Sequence, residues 1–492
     1  INYANIVFLE RRKNIMTIQK YRFKNKPYVH QEAYLQKHCF EKYVALFADM
    51  GTGKTFMLIN NSAILYDQGK INAVLVVAPK GVYRNWSEIE IPKHMPDHVI
   101  YRFADWSPSP KKAEKIKLDN LFDVTEDLKI LCMNIEALST KKGTEFAKRF
   151  VNAHDTLMIV DESTTIKSPK ASRSKNSVLV GTLAKYKRIA TGSPITKSPL
   201  DVYQQCEFLS PTLLNVASYY SFQARYANVI ERSVATHSFK MITGYRNLDE
   251  LQTKLSKFSY RVTKDECLDL PEKIYTTRSV ELTPEQTKAY NEMKQMALSI
   301  FAEGVTTTVN ALTQLMRLHQ IVCGHIKLDD GQLIQLPNNR IKELLNVIEE
   351  TSGKVIIWAT YRNDIKNIAE ALKKEHGMDS VGTYFGDTPT DERQEVLQKF
   401  QDEKNPMRFF VGNPRTGGFG VTLTQASVVV YFSNSFDLEV RLQSEDRAHR
   451  IGQTQNVVYV DLIAPNTVDE KIVKSLKNKI NIASEVLGEE VK

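Results

Sequence analysis

Three short stretches of this 492-residue chain carry side chains that could do chemistry on a phosphate chain. The first is ADMGTGKT (48–55), set between an apolar run and the helical pattern FMLINNSAIL. A polyphosphate needs backbone N–H groups turned inward, which calls for glycine where the chain bends tightly. It also needs the positive end of a helix, a lysine for the β and γ oxygens, and a hydroxyl for Mg2+. Gly51, Gly53, Lys54 and Thr55 meet these needs, with Thr52 in the same loop. Ala48 stands where such loops usually carry their first glycine. The second stretch, IVDEST (159–164), closes another apolar run. An acidic pair at the C-terminal edge of a strand can face bound phosphates. Asp161 is then expected to hold Mg2+ through water, and Glu162 to orient and deprotonate the attacking water. The third is QSEDRAHRIGQ (443–453). Arg447 and Arg450 are three apart and on a helix would share a face. An arginine pair that reaches a phosphate held by the other half of the chain stabilises transition-state charge, an effect worth about 10³ to 10⁵ in rate.

Elements of a particular kind must position these residues. Short apolar runs rich in β-branched residues recur: YVALFA (43–48), AVLVVA (73–78), KILCM (129–133), TLMIV (156–160) and YKRIA (186–190). A second set follows: KVIIWA (354–359), RFFVG (408–412), SVVVYF (427–432) and NVVYVDLI (456–463). Continuous rather than alternating hydrophobicity suits strands covered on both faces, as in parallel sheets wrapped by helices. The middle, from about 210 to 345, reads instead as helices at 248–258, 284–304 and 309–322. The expected class is therefore α/β, with two doubly wound parallel-sheet lobes and a helical insertion between them. The boundaries are an N-terminal extension at 1–19, a first lobe at 20–273 and a second at 274–492. Helical protrusions are expected at about 210–260 and 283–345, and a lysine-rich C-terminal helix packs its apolar side onto the second lobe.

Composition excludes several alternatives. No run approaches the ~20 continuous apolar residues of a membrane span. The first residues carry charges where a signal peptide would have its core, and Met16 is a candidate natural start. Five scattered cysteines without a CxxC pair argue against a disulfide framework or a zinc site, and fit a reducing compartment. The net charge of +9 is modest for the length. From Ser163 to Leu200, however, Lys167, Lys170, Arg173, Lys175, Lys185, Lys187, Arg188 and Lys197 stand with no acidic residue among them. A local basic patch beside the acidic pair makes nucleic acid the expected partner.

Taken in order from about residue 20 to 475, these stretches resemble helicase superfamily two, and within it the SWI/SNF-type branch of double-stranded DNA translocases. PYVHQ (27–31) is similar to the family's adenine-reading motif, with Gln31 on the base edge. VVAPKGVYRNW (76–86) resembles the segment that lines the DNA path, which implies roles for Lys80 and Asn85. TGSPITKSPLDVYQQCEFLSP (191–211) resembles the stretch in which Thr191 and Ser193 would link hydrolysis to DNA. RVTKDECLDLPEK (261–273) resembles the segment that closes the first lobe, and TYFGDTPTDERQEVLQKF (383–400) a pattern of the second. NPRTGGFGVTLTQA (413–426) is similar to the glycine-rich motif in which Gly417, Gly418 and Gly420 let backbone approach DNA and nucleotide. The RAHRIGQ run followed by APNTVDEKI (464–472) is the feature most specific to the branch.

The resemblance implies two RecA-like lobes with ATP and Mg2+ as cofactors. It places Gln443 with Gly418 at the nucleotide, and Thr360, Arg362, Thr416, Gly417, Lys167, Lys170 and Arg173 at the DNA or in coupling. It implies a monomeric, DNA-dependent ATPase that moves on duplex DNA through sequence-independent backbone contacts, without membrane association. A cytoplasmic, nucleoid-associated protein of a prokaryote or phage-infected cell is expected, or a nuclear one in a eukaryote. The compact chain points to a bacterial, archaeal or viral source. Single strands and forks are the alternative partners of a strand-separating or annealing motor, RNA that of an RNA-directed one. A non-catalytic nucleotide-gated scaffold is the alternative of another class. Two departures stand out. Ser163 and Thr164 replace the Ala and His of the family's usual acidic box, which removes the histidine that could couple hydrolysis to movement. Phe436-Asp437-Leu438 replaces a Trp-Asn-Pro turn.

Overall fold

The computed structural model describes residues 21–80, 82–234, 237–302, 308–328, 330–416 and 421–489. The chain divides into two units, one of residues 1–228, 243–268 and 482–492, the other of residues 229–242 and 269–481. The expected extension at 1–19 lies outside the described residues.

The first unit is built on strands β1 (Tyr43–Ala48), β2 (Ala73–Ala78), β3 (Tyr101–Asp105), β4 (Leu128–Asn134), β5 (Thr156–Asp161) and β6 (Tyr186–Thr191). After a hairpin of β7 (Ala227–Val234) and β8 (His237–Tyr245), strand β9 (Ser259–Val262) completes its sheet. The order is β3-β4-β2-β5-β6-β1-β9, and every pairing is parallel. β2, β5 and β6 are buried along their whole length, β2 and β5 as the apolar runs the sequence shows. β1 and β2 are consecutive in the chain but not neighbours, because β5 and β6 lie between them. The loops that leave β5, β6 and β1 therefore open side by side on one edge, where open α/β sheets bind ligands.

The second unit holds β10 (Lys273–Ser279), a small antiparallel pair β11 (His325–Lys327) and β12 (Leu333–Gln335), then β13 (Lys354–Trp358), β14 (Val381–Tyr384), β15 (Phe409–Gly412), β16 (Ala426–Tyr431) and β17 (Val457–Ile463). Its main sheet runs β10-β17-β16-β13-β15-β14, again all parallel. Apolar side chains cover both faces, Val355, Ile357 and Val430 on one and Ile356, Trp358 and Val429 on the other. Helices Pro284–Ala302 and Thr308–Cys323 occupy the stretch expected to be helical. The 210–260 stretch holds short helices at Tyr219–Tyr226 and Leu248–Leu255, but also the β7–β8 hairpin and the start of β9. The sequence reading sets the lobe boundary at 273/274, whereas the contact division falls at 268/269. No described helix is long and apolar enough to cross a membrane.

The basic stretch at 163–200 is not one patch. Arg188 is fully buried on β6, where it donates to Asn61 Oδ1 (2.9 Å), Cys39 O (3.1 Å) and Lys42 O (3.2 Å). Lys187 is buried beside the Tyr43 and Phe208 rings. Lys185, exposed just before that strand, pairs at the surface with Asp155. Lys187 and Arg188 serve the sheet and Lys185 is taken up by Asp155, which leaves Lys167, Lys170, Arg173, Lys175 and Lys197 as the basic residues of the loops and helix around it. A buried guanidinium is tolerated only while its donors are satisfied, so Arg188→Met should lower unfolding stability by about 3 kcal/mol. Burial pushes the Lys187 ammonium down to about 8, so its charge weakens the fold at neutral pH and ceases to do so as pH rises above that value. Lys187→Met should therefore cost little or stabilise, with a gain that shrinks above about pH 8. Urea denaturation of both variants across pH 7–10 checks the contrast.

Candidate phosphate site

The loop after β1 is shaped by two left-handed glycines, Gly51 (φ 85°) and Gly53 (φ 87°), and helix α1 (Lys54–Asp67) starts directly behind them. A Cβ on Gly53 would collide with the Gln31 amide. Gln31, buried in helix Val29–His38, is fastened at both ends. Its Nε2 donates to Thr52 O (3.1 Å), and its Oε1 accepts from Tyr28 N–H (3.0 Å). His30 Nε2 donates to the same Thr52 carbonyl (2.7 Å). Thr52 turns its hydroxyl back onto Asp49 O (2.8 Å). Lys54 Nζ donates to Ala48 O (2.9 Å) and Asp49 O (3.3 Å), across the mouth of its own loop. The result is a cradle of backbone amides with a lysine folded over it, which is what a phosphate chain requires.

β5 carries the acidic pair to the same edge. Asp161 is buried, and its carboxylate accepts from Trp86 Nε1 (2.9 Å) on one oxygen and from Glu162 N–H (3.0 Å) on the other. Burial pushes its carboxyl up from the ordinary value, while the Trp86 bond, the Lys54 ammonium and the Glu162 amide hold against that shift. Glu162 has φ 48°, a left-handed conformation unusual for a residue with a side chain, and its carboxylate accepts from Thr191 Oγ1 (3.4 Å) at the end of β6. Thr191 Oγ1 also accepts from Ser193 N–H (3.2 Å). Thus Lys54, Thr55, Asp161, Glu162, Thr191 and Ser193 converge on one sheet edge from three adjacent strands. Among the described residues, no three of His, Cys, Asp and Glu cluster to hold a metal by themselves. Asp161 and the Thr55 hydroxyl suit an ion that keeps its waters and takes further oxygens from phosphate, as Mg2+ does.

Sequence reasoning missed several neighbours. Trp86 stands in the quoted VVAPKGVYRNW beside the named Asn85, and one π-helical turn (Trp86–Glu90) aims its ring at Asp161. Asn85 itself spends its amide on Glu90 (3.4 Å), and Lys80 is exposed where β2 ends. Arg261, on β9 next to β1, pairs with Asp49 of the phosphate loop (3.0 Å) and donates to Gly192 O (3.2 Å) after β6. Its place in RVTKDE was visible, but a link across two loops has no signal in spacing. Of the residues expected at DNA, Lys170 is exposed, Arg173 donates to Thr165 O (2.8 Å) and Lys167 to Thr196 Oγ1.

In the second unit Thr360 and Thr416 lie in loops after strands, Arg362 opens the helix Arg362–His376, and Gln443 lies within the helix Leu438–Glu445. Thr360 follows β13 and donates from its amide to Ser433 Oγ (2.8 Å) and from its hydroxyl to Ser433 O (3.2 Å), and Arg362 pairs at the surface with Asp387 (2.6 Å). Thr416 N–H donates to Asn413 O (3.0 Å), and Gln443 Nε2 to Glu439 Oε1 (3.4 Å). Gly417, Gly418 and Gly420 lie outside the described residues. One expectation is corrected. Arg447 and Arg450 do not share a helical face, because helix α2 (Leu438–Glu445) ends before them. The Arg447 carbonyl accepts from Leu423 N–H (2.9 Å) instead of a following helical amide, and Arg447 Nη1 donates to Val421 O (3.2 Å). Arg447 is buried and Arg450 half-buried.

A parallel sheet with a glycine-cradled lysine after one strand and an acidic pair at the end of the next strand but one defines a P-loop nucleotide-binding unit. The chain matches the SNF2-related domain over residues 35–327 and the helicase conserved C-terminal domain over residues 338–452. The first match alone spans more than half of the sequence, and the chain belongs to the SNF2-related family. It is 27% identical to an uncharacterized ATP-dependent helicase of Mycoplasma pneumoniae, over 92% of this chain and 41% of that protein. It is 26% identical to the nuclear protein STH1/NPS1 of Saccharomyces cerevisiae, over 89% of this chain and 33% of that protein. The chain thus spans between 33% and 41% of the length of these curated relatives. Among solved structures it is similar to the Sulfolobus solfataricus SWI2/SNF2 ATPase core in complex with dsDNA, at 26% identity over 95% of this chain and 94% of that one, with a TM-score of 0.43.

The Trp86–Asp161 bond makes a testable demand. It favours the ionised carboxylate, so it stabilises the fold above the raised carboxyl pKa and fades as pH falls through it. Trp86→Phe keeps the ring and removes the donor. It should lower unfolding stability by about 1 kcal/mol at pH 8 and by less at acidic pH, as read by denaturant titration at both.

Proposed function

We propose that this chain hydrolyses ATP in response to duplex DNA and uses the cycle to move along the duplex. The observation that carries the reading is the side-by-side exit of β5, β6 and β1, which brings the phosphate loop, the acidic pair and Thr191 to one edge. The amides of the Gly51–Lys54 turn and the Lys54 ammonium bind the phosphates, while Gln31 braces the loop and faces the base. Asp161 and Thr55 hold Mg2+, which supplies charge neutralisation at the phosphates. Glu162 orients the attacking water and takes its proton. Arg447 and Arg450 are the candidate arginines for transition-state charge.

Thr191 and Ser193 connect the acidic pair to a segment read as DNA-facing. Lys80, Lys167, Lys170 and Arg173, with Thr360, Arg362 and Thr416 of the second unit, meet the sugar-phosphate backbone. Such contacts are blind to sequence and weaken with salt. A single chain is the working unit, and the biological task is the remodelling of DNA or of protein–DNA complexes.

Steady-state ATPase with no nucleic acid, single-stranded DNA, duplex DNA and RNA checks this. Duplex DNA should stimulate most, and raising salt from 50 to 200 mM should raise the DNA concentration needed for half-stimulation by at least about tenfold. Lys54→Ala should abolish turnover, and Glu162→Gln should abolish it while sparing nucleotide binding. A rate indifferent to Lys54→Ala would remove the enzyme reading. Strand displacement without duplex stimulation would favour a strand-separating motor instead.

A further inference from the structure

Ser163 and Thr164 follow Glu162 in this chain, and Ser163 makes a connection that the phosphate site itself does not use. Ser163 is fully buried, and its hydroxyl donates to Gln205 Oε1 (2.7 Å). Gln205, also fully buried, lies on helix Val202–Leu209. Its amide nitrogen donates to Pro194 O (2.8 Å) and Asp201 O (2.9 Å). One side chain thus joins the turn after β5 to the TGSP loop after β6. The same loop is tied at two more places. Thr191 reaches Glu162, and Thr196, held with Lys197 by the Asp201 carboxylate (3.0 and 2.7 Å to their amides), receives Lys167.

The energetics favour a positioning role. An apolar pair would fill the space between turn and helix without burying a hydroxyl and an amide, whose desolvation offsets much of what their bonds return. What hydrogen bonds add over apolar packing is fixed geometry. The geometry at stake is that of Glu162, whose left-handed backbone persists only while its surroundings hold it. Ser163, one residue on, is anchored by Gln205, and Gln205 by the loop carbonyl. A shift of the TGSP loop therefore bears on the turn that aims the Glu162 carboxylate.

We propose that Gln205, through Ser163, is the positioning residue that transmits the state of the TGSP loop to Glu162. The inference rests on the proposed DNA-stimulated ATPase. Ser163→Ala removes one hydroxyl, Gln205→Met keeps length and volume without the amide, and Ser163→Thr retains the hydroxyl. ATPase is measured with and without duplex DNA, alongside the melting temperature. In Ser163→Ala and Gln205→Met the DNA-stimulated kcat should fall at least about fivefold, with the DNA-free rate and the KM for ATP within about twofold of the parent. The double variant should lose no more than the worse single one, because both act through one bond. Ser163→Thr should retain the stimulation. If Gln205→Met does not fold, Ser163→Ala against Ser163→Thr decides alone. A lowered melting temperature with stimulation intact, or losses that multiply in the double variant, would overturn the inference. A parent chain that duplex DNA does not stimulate would instead overturn the proposed function, and the inference with it.

Discussion

In a sheet whose strands all run one way, every strand ends on the same edge, and the order of the strands decides which loops become neighbours. Here the order β2-β5-β6-β1-β9 does that work. It sets Trp86 beside Asp161, Glu162 beside Thr191, and Arg261 beside Asp49 and Gly192, although these partners lie 29 to 212 residues apart along the chain. None of these contacts depends on local sequence. Each depends on parallel pairing, and parallel pairing depends on strands apolar enough to be covered by helices on both faces. The same runs of Val, Ile, Leu and Ala that read as core thereby determine the layout of the polar edge.

The phosphate loop shows how closely this layout is held. Gly53 has no space for a side chain because Gln31 fills it, and Gln31 is fixed because Tyr28 and Thr52 occupy both ends of its amide. Lys54 rests on the carbonyls of Ala48 and Asp49, a place it can leave for a more negative partner at modest cost. The interior polar groups follow the same logic. Arg188 and Asn61 are buried together with satisfied bonds, and Asn61 also donates to Cys39 O (3.0 Å). Such groups give little net stability and much definition of geometry.

How much of this was legible in the sequence depended on whether the signal was local. The phosphate loop, the acidic pair and the buried central strands were legible, since glycine spacing and unbroken apolar runs are properties of consecutive residues. Strands β3, β9 and β14 were not, because edge strands are short; β3 and β9 are also only half-covered, and SYRV (259–262) carries no apolar run. β10, KIYTTRS, is likewise mostly outside the core. The basic stretch at 163–200 misled because charge is counted along the chain while burial is decided across it. Arg188 belongs to the core only because Asn61 stands 127 residues away. The arginines of RAHRIGQ have helical spacing but not helical structure, since a bond from Leu423 claims the Arg447 carbonyl. The Ser163–Gln205 bond has no signature at all, as both residues read as ordinary polar positions.

The central claim is that the loops after β1 and β5 form one phosphate site. The chain has three tryptophans, of which Trp86 alone donates to Asp161. A variant with Trp106→Phe and Trp358→Phe leaves Trp86 as the sole fluorophore. Titrating it with Mg2+ and a slowly hydrolysed ATP analogue should change its emission saturably, with the change lost in Lys54→Ala. Nucleotide that binds by equilibrium dialysis while the Trp86 emission stays constant would contradict the account.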